Sequence, residues 1–347
     1  MHKTLKHVRV ASTVLLALAL SACATAPQES VKSPSPTPTP EVVYDVAPLT
    51  GVEYEQGKNG SLAGPVVMAK IDNSAAARPH EGLSQTDIVY EELVEGGITR
   101  FLAVWHSQLP KQIGPVRSVR PMDPDIASPF GGIIAYSGGQ VRFVKKMRAT
   151  EVYNASETSE QSKNTMIRVK DRVAPHNLFL LPAKIQSQHL KMKAPALWQQ
   201  FTKDESKVST AGGKAVTTVT ARFPNTKAVW NYDENTQLFA RTQDGKKQVD
   251  KGTKLAETAV NLILIYVDID RSEPDPIYGN VPRTVVNGKG KGYYVHAGKV
   301  IDILWSKTDR TSPQVFTDVN GEKITMAAGN TWVELVPTDA GAKVILK

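Results

Sequence analysis

The sequence has only one cysteine, Cys23, among 347 residues. A single thiol excludes intrachain disulfides and the paired Cys-x-x-Cys motifs of zinc and redox sites. The Gly-x-Ser-x-Gly elbow, the Walker loop and the His-Glu-x-x-His motif are also missing, so the common serine-hydrolase, nucleotide and zinc-protease classes lack support. The seven histidines are scattered and show no metal-ligand spacing. The fold must therefore rest on an ordinary hydrophobic core.

The first 22 residues have the pattern of a secretory signal peptide. Basic residues up to Arg9 precede an apolar run at 14–20, and the small residues Ser21 and Ala22 stand directly before Cys23. This order is typical of a lipobox, whose cysteine carries lipid, palmitate included. We therefore predict a lipoprotein anchored to the cell membrane on its extracytoplasmic face. A cleaved signal followed by an incidental cysteine is the alternative interpretation.

Residues 23–44 have the composition of a tether. Proline alternates with serine and threonine at 33–40, a composition that favours polyproline II and cannot build a core.

The formal net charge is +8, and removal of the signal peptide would lower it by the three charges of Lys3, Lys6 and Arg9. The remaining chain is mildly basic. Besides the membrane that holds its lipid, we expect an anionic envelope polymer or lipid headgroup as partner, and no nucleic acid.

The folded part is predicted to be α+β, with a change of pattern near residue 205. Residues 45–205 are expected to form a mixed α/β N-terminal domain, and residues 206–347 a mostly β C-terminal domain. In the second half the apolar run at 259–267 is the strongest candidate for a buried central strand. The GKGKG segment at 288–292 is predicted to be a basic hairpin turn rather than a phosphate loop, because a strand pattern follows it.

The first domain shows mixed strand and helix patterns. A Gly-Gly pair at 96–97 between two apolar runs is a hairpin signal, although Ser84 and Asp87 could instead cap a helix. The predicted strands cover 65–71, 87–94, 98–106 and 131–136, and the predicted helices cover 141–148 and 182–200.

Several arginines stand at predicted strand ends and turns of this domain, where binding residues are often held by a rigid scaffold. The guanidinium fork binds phosphate or carboxylate through two parallel hydrogen bonds. Arg117 and Arg120 would point to opposite faces of a flat strand, so they converge only in a turn, which Pro115 and Pro121 favour. The predicted ligand-binding residues are Asp72, Asn73, Arg78, Arg100, Arg117, Arg120 and Asn177.

Carboxylates and a histidine in the same blocks are candidate catalytic residues. Glu91 or Glu95 could act as general base and His176 as acid. Asp72 and Glu91 could instead orient the arginines or hold a divalent metal, whose identity the sequence leaves unknown. A third interpretation is purely structural, because networks of arginine and carboxylate stabilise many non-catalytic domains. Whether the protein is an enzyme therefore stays open.

The same blocks resemble the DUF3048 (YerB-like) lipoproteins. The similar strings are LSQTDIVYE at 83–91, EGGITRF at 95–101, IGPVRSVRP at 113–121 and APHNL at 174–178, with GNTWV at 329–333 in the second half. The resemblance implies a two-domain envelope lipoprotein and no particular activity, since none is assigned to the family. The family often has a histidine near the Gly-Gly pair that stands here at 138–139, which weakens any mechanism that needs a histidine there.

Our leading hypothesis is an extracytoplasmic lipoprotein that binds an anionic envelope ligand through an arginine-rich cleft of the N-terminal domain. One alternative is a hydrolase or transferase that acts on a phosphodiester or glycan of the envelope, using a metal or the carboxylates. Another is a non-catalytic scaffold for a membrane protein complex.

Overall fold

The structure is a computed structural model that describes residues 42–275 and 279–347. The predicted signal peptide, the predicted lipidation site Cys23 and nearly all of the predicted tether lie outside the described residues. Residues 42–347 form one compact unit. In its described part, none of the helices has the length and apolar character needed to cross a membrane.

The described chain is rich in strands. The strands of the first part are β1 (Tyr44–Val46), β2 (Glu53–Glu55), β3 (Val67–Asp72), β4 (Ile88–Leu93), β5 (Thr99–Trp105), β6 (Ile133–Tyr136), β7 (Tyr153–Ser156), β8 (Met166–Arg168), β9 (Leu178–Leu180) and β10 (Gln200–Thr202). Those of the second part are β11 (Lys214–Ala215), β12 (Thr218–Arg222), β13 (Lys227–Asp233), β14 (Leu238–Gln243), β15 (Lys246–Lys247), β16 (Thr258–Ala259), β17 (Asn261–Val267), β18 (Ile269–Asp275), β19 (Gly279–Thr284), β20 (Gly288–His296), β21 (Lys299–Lys307), β22 (Val315–Thr317), β23 (Thr325–Ala327), β24 (Thr331–Pro337) and β25 (Lys343–Leu346).

The helices are short. The α-helices are α1 (Asp123–Ala127), α2 (Val141–Arg148), α3 (Glu157–Gln161) and α4 (Pro182–Ser187). Single 3-10 turns cover Gly60–Ala63, Ala75–Ala77, Leu83–Gln85, Glu95–Gly97, Ser128–Phe130 and Glu205–Lys207.

An 11-stranded sheet runs through the whole compact unit in the order β11-β21-β20-β17-β24-β4-β5-β3-β6-β7, with β22 beside β21. Its centre is the parallel pair of β24 and β4, which come from the two halves of the sequence. A second sheet, in the order β15-β14-β13-β12-β25 with β16 beside β14, is built from the second half alone. The halves therefore differ in content, as predicted, but they share the main sheet.

The central strands are buried on both faces. Every residue of β3, β4 and β5 is buried, so these strands appear in the sequence as continuous apolar runs interrupted by single charges. Successive side chains enter two different cores: Leu102 packs in one, and Phe101 and Ala103 pack in the other. Trp230 and Phe239 of the second sheet belong to the latter core, so that sheet covers one face of the main sheet.

Most of the predicted elements are confirmed. The strand predictions at 65–71, 87–94, 98–106 and 131–136 correspond to β3, β4, β5 and β6, the helix at 141–148 is α2, and the central strand at 259–267 is β17. The residues around Ser84 form only a 3-10 turn, so the hairpin interpretation was the right one.

Two predictions were wrong. The helix expected over 182–200 ends at Ser187, and Leu190 and Leu197 beyond it are exposed. The GKGKG segment is the first part of strand β20, not a turn. Its glycines permit close packing, since a Cβ on Gly290 would lie 2.5 Å from Trp305 Nε1 and one on Gly292 would lie 2.3 Å from the Leu264 carbonyl oxygen.

Candidate functional site

Strand alternation divides the predicted site residues between the two faces of the main sheet. Asp72 and Arg100 are direct cross-strand partners on the antiparallel strands β3 and β5. Arg100 is also opposite Glu92 on β4, whereas Glu91 is opposite Phe101 and points to the other face. We name the first group the arginine cluster, formed by Asp72, Glu95, Arg100, Arg117, Arg120 and His176. The second is the glutamate network, formed by Asn73, Glu91, Thr99, Arg241 and Glu334.

Asp72 is the centre of the arginine cluster. Its Oδ2 lies 2.8 Å from His176 Nδ1 and 3.2 Å from Arg117 Nε. Its Oδ1 accepts a hydrogen bond of 3.0 Å from the backbone N–H of Ser74. Burial alone would raise the pKa of Asp72, but the Ser74 hydrogen bond and the positive charges of Arg100, Arg117 and His176 outweigh it and lower that pKa. Asp72 is therefore a stable anion in contact with the imidazole of His176 and the guanidinium of Arg117.

The segment 113–121 brings its two arginines to the same place. Its backbone lies between the end of β3 and the loop after β6, with Arg117 N–H donating to Lys70 O at 2.8 Å and Ser137 N–H donating to Arg117 O at 2.9 Å. Arg120 Nε donates to Glu95 Oε2 at 2.7 Å. The Arg120 backbone N–H is held by Asp123 Oδ2 at 2.5 Å. The segment, which passes into a turn at 121–122, thus places Arg117 against Asp72 and Arg120 against Glu95.

Arg100 is the most confined cation of the cluster. The residue is 8 % exposed, and Nη1 donates to Ser118 O at 3.0 Å, while the buried Nε has no hydrogen-bond partner among the described residues. Burial lowers the pKa of Arg100 to about 10, and the neighbouring charges of Arg120 and Arg117 act in the same direction against Asp72 and Glu95. A further negative charge at this place would favour the charged form of Arg100 and offset the repulsion among the three guanidinium groups.

A buried ion network lies beneath the cluster. Lys70 of β3 is paired with Glu92 and, at 2.8 Å, with Asp123 Oδ1, and all three side chains are fully buried. Burial lowers the pKa of Lys70 to about 8, although Asp123 opposes this. Because Asp123 also holds the Arg120 backbone, the network fixes one wall of the cluster. We did not predict it from the sequence, although a single lysine inside the apolar run of β3 was a visible signal.

The cluster meets solvent at Arg117 and His176, whose side chains are 25 % and 22 % exposed. Arg120 and Glu95 are more enclosed. Asn177 follows His176, and its Oδ1 accepts a hydrogen bond from Arg168 Nη1 at 2.5 Å. The exposed side of the arginine cluster therefore has the guanidinium of Arg117 and the imidazole of His176, whereas the predicted ligand-binding side chain of Asn177 is bonded to Arg168.

Three predicted residues lie elsewhere. Arg78 pairs with Asp244 of the second half at 3.1 Å instead of joining the other arginines. Glu91 and Asn73 belong to the glutamate network, where Asn73 Nδ2 donates to Thr99 Oγ1 at 2.8 Å. Glu91 is fully buried, so a ligand at the arginine cluster cannot reach it in this structure. The expectations that Arg78 lies in the same cleft and that Glu91 orients the arginines were therefore wrong.

The glutamate network joins the two halves. Arg241 of β14 donates from Nη2 to Glu91 Oε2 at 2.5 Å, and its guanidinium lies 5.1, 5.7 and 5.0 Å from the ring centroids of Phe101, Trp230 and Trp332. Glu334 Oε1 accepts a hydrogen bond from Trp230 Nε1 at 2.9 Å. Burial and the nearby charge of Glu91 raise the pKa of Glu334, although Arg241 opposes this.

The arginine cluster is rich in guanidinium groups and has few groups that could ligate a metal. Within residues 42–275 and 279–347, no three histidine, cysteine, aspartate or glutamate side chains are grouped so that they could hold a metal ion. The possible divalent metal thus has no protein-only cage in the described part of the chain, although a ligand phosphate could still share one. Guanidinium groups around one carboxylate are suited to a phosphate or carboxylate ligand.

Known proteins share this architecture. The chain is 28 % identical over 300 residues to a candidate lipoprotein of Bacillus subtilis strain 168, YerB, covering 84 % of this chain and 86 % of that protein. The crystal structure of B. subtilis YerB superposes with a TM-score of 0.72 at 24 % identity, covering 86 % of this chain and 99 % of the other. The second comparison supports the fold alone.

Two family models match in succession. The N-terminal domain model of the DUF3048 proteins of unknown function matches residues 49–195, and the C-terminal domain model matches residues 217–333. The predicted boundary near 205 falls between the two matches. Because the two models together cover most of the sequence, the chain belongs to the DUF3048 family.

Proposed function

We propose that this protein is a lipid-anchored lipoprotein on the outer face of the cell membrane, and that its arginine cluster binds an anionic ligand of the cell envelope. The lipobox pattern at Cys23 supports the anchor, and so does the description of the similar YerB as a candidate lipoprotein. The mild positive charge of the chain suits a polymer or headgroup that carries phosphate.

The observation that carries the binding proposal is the state of Arg100. Its Nε is buried without a hydrogen-bond partner in the described structure, and two further guanidinium groups lie close enough to lower its pKa. An unpaired buried donor on a charged group costs stability unless something satisfies it. A bound anion beside Arg117 would supply a negative charge at the exposed side of the cluster, close to the three guanidinium groups.

The hydrolase and the scaffold alternatives differ in how well they agree with the positions of the carboxylates. A hydrolase that uses Glu91 as its base is disfavoured, because Glu91 is fully buried and paired with Arg241. Glu95 is committed to Arg120. A scaffold for a membrane protein complex remains an alternative, and it predicts that substitutions in the arginine cluster do not alter any ligand affinity.

Calorimetric titration tests the binding proposal. Full-length protein in detergent micelles is titrated with inorganic pyrophosphate and with phosphate-bearing envelope fragments, with and without magnesium. Arg117→Ala should weaken binding about tenfold or more, because a hydrogen bond to a charged group contributes about 1.5–3 kcal/mol. Arg222→Ala, on an exposed position of β12, is the matched control and should bind like the wild type. Absence of saturable binding across the panel would overturn the proposal.

A further inference from the structure

One oxygen atom of Asp72 holds both an imidazole and a guanidinium group. Oδ2 lies 2.8 Å from His176 Nδ1 and 3.2 Å from Arg117 Nε. A carboxylate only accepts hydrogen bonds, so Nδ1 must carry the hydrogen, and the ring nitrogen left for other chemistry is Nε2. In the described part of the chain His176 Nε2 makes no hydrogen bond to protein, and the ring is partly exposed.

A site that only binds anions gains little from this arrangement. A buried carboxylate on Nδ1 fixes the orientation of the ring, as a positioning group does for an acid–base histidine. The same carboxylate fixes Arg117, so the imidazole and the anion receptor keep a constant relative position. The contact is therefore typical of a site in which a proton is delivered to a bound anion.

The charge of the cluster indicates which anion. With the imidazolium that an acid requires and the buried network beneath, five cations (Arg100, Arg117, Arg120, His176 and Lys70) face four carboxylates (Asp72, Glu95, Glu92 and Asp123). One positive charge remains. A phosphodiester carries one negative charge, whereas a phosphate monoester carries about 1.5–2 at neutral pH.

Building on the proposed anion site, we propose that His176 is the general acid in the hydrolysis of a phosphodiester with an alkyl leaving group, and that Asp72 is its positioning residue. Water attacks phosphorus, forming one P–O bond, while the P–O bond to the leaving alcohol breaks. The imidazolium gives its Nε2 proton to the departing alkoxide oxygen. A proton of the attacking water returns to the imidazole through solvent, so the enzyme is regenerated.

Two serine hydroxyl groups near the cluster are engaged in other contacts. Ser118 Oγ donates to Ser137 O at 2.8 Å, and Ser137 Oγ donates to Glu157 Oε2 at 2.5 Å. The acceptor of Ser118 is a backbone carbonyl, and the Glu157 carboxylate is paired with Arg168. Ser74 Oγ is buried and has no hydrogen-bond partner in the described structure, so no base activates it. Water is therefore the nucleophile in this proposal.

The test compares two substrates that differ in their need for an acid. Bis(p-nitrophenyl) phosphate releases a phenolate that leaves without protonation, whereas glycerophosphoglycerol releases an alkoxide that needs a proton. His176→Gln should lower kcat for glycerophosphoglycerol by about a hundredfold or more with little change in KM, and should affect the aryl ester far less. The matched control is His189→Gln, since His189 is half-buried against Tyr153 in the same half of the chain and should leave both rates unchanged.

Three results would overturn the inference: no hydrolysis of either substrate by the wild type, an equal loss on both substrates in His176→Gln, or full activity in that variant. Calorimetry on the same samples separates the two proposals. If pyrophosphate binds but neither substrate is hydrolysed, the acid role of His176 is wrong and the anion site stands. If there is no binding and no hydrolysis, the anion site is wrong as well.

Discussion

Glu91 and Glu334 lie directly opposite each other on the parallel strands β4 and β24. Both side chains are fully buried, and the guanidinium of Arg241 donates to Glu91. The pKa of Glu334 is raised, so it keeps its proton to higher pH than an ordinary glutamate, and one arginine then faces one carboxylate. The contact of Arg241 with Glu91 lies where strands from the two halves of the sequence pair in the main sheet.

The protonation of Glu334 should make stability depend on pH. A raised folded-state pKa contributes stability that is complete below the unfolded-state value and is lost as pH rises through the folded-state value. The free energy of unfolding of the wild type should therefore decline as pH rises from the ordinary glutamate pKa of 4.5 to the raised pKa of Glu334 in the folded state. Glu334→Gln keeps an acceptor for Trp230 and should lack this decline.

Urea unfolding at a series of pH values measures the free energy of unfolding of each variant. The exposed Glu234→Gln is the control. The same slope against pH in the wild type and in Glu334→Gln would contradict the prediction.

Removal of Arg241 should be severe. Arg241→Met leaves the Glu91 carboxylate buried without a cation, which costs about 3–5 kcal/mol of unfolding free energy. Adding Glu91→Gln should recover part of the loss, because the remaining side chain is neutral. Chemical denaturation measures both variants. The exposed Arg222→Ala should stay within about 0.5 kcal/mol of the wild type; an Arg241→Met variant as stable as this control would show that the ion pair contributes little.

Anions should stabilise the folded protein through Arg100. If pyrophosphate binds only the native state, a concentration of about 100 times Kd adds about 2.7 kcal/mol to the unfolding free energy. Arg100→Gln should abolish this gain, since its guanidinium is the confined and incompletely paired cation of the cluster. Thermal unfolding with pyrophosphate, compared with sodium chloride at equal ionic strength, measures it. A gain that persists unchanged in Arg100→Gln would place the anion elsewhere.

Membrane attachment should depend on Cys23, which lies outside the described residues. Cys23→Ser removes the only thiol and with it the predicted lipid. Labelling with radioactive palmitate and separation of membrane and soluble fractions should show a labelled, membrane-bound wild type and an unlabelled, released variant. If Cys23→Ser remains in the membrane fraction and the wild type takes up no label, the anchor prediction fails.

The sequence by itself determined the features that depend on neighbouring residues. The apolar runs of β4, β5 and β17 and the pattern of α2 indicated their own secondary structure, because strand and helix periodicity is local. The segment with Pro115 and Pro121 predicted that Arg117 and Arg120 could converge. The motifs at 83–91 and 113–121 were also sufficient to predict the family, which the two family models confirm.

Only the tertiary structure decided which groups meet across the sheet. Alternation shows that Glu91 and Glu92 point to opposite faces, but not which face holds the arginines or that β24 would lie beside β4. Arg241 and Glu334 are far from Glu91 in sequence, so their contact exists only because strands of both halves pair in one sheet. The placement of Arg78 against Asp244 of the second half is likewise a contact between residues far apart in the sequence. The pairing of strands and the burial of side chains involve residues that are far apart in the sequence. The free energy that favours one pairing over another comes from surfaces that meet only when the chain folds.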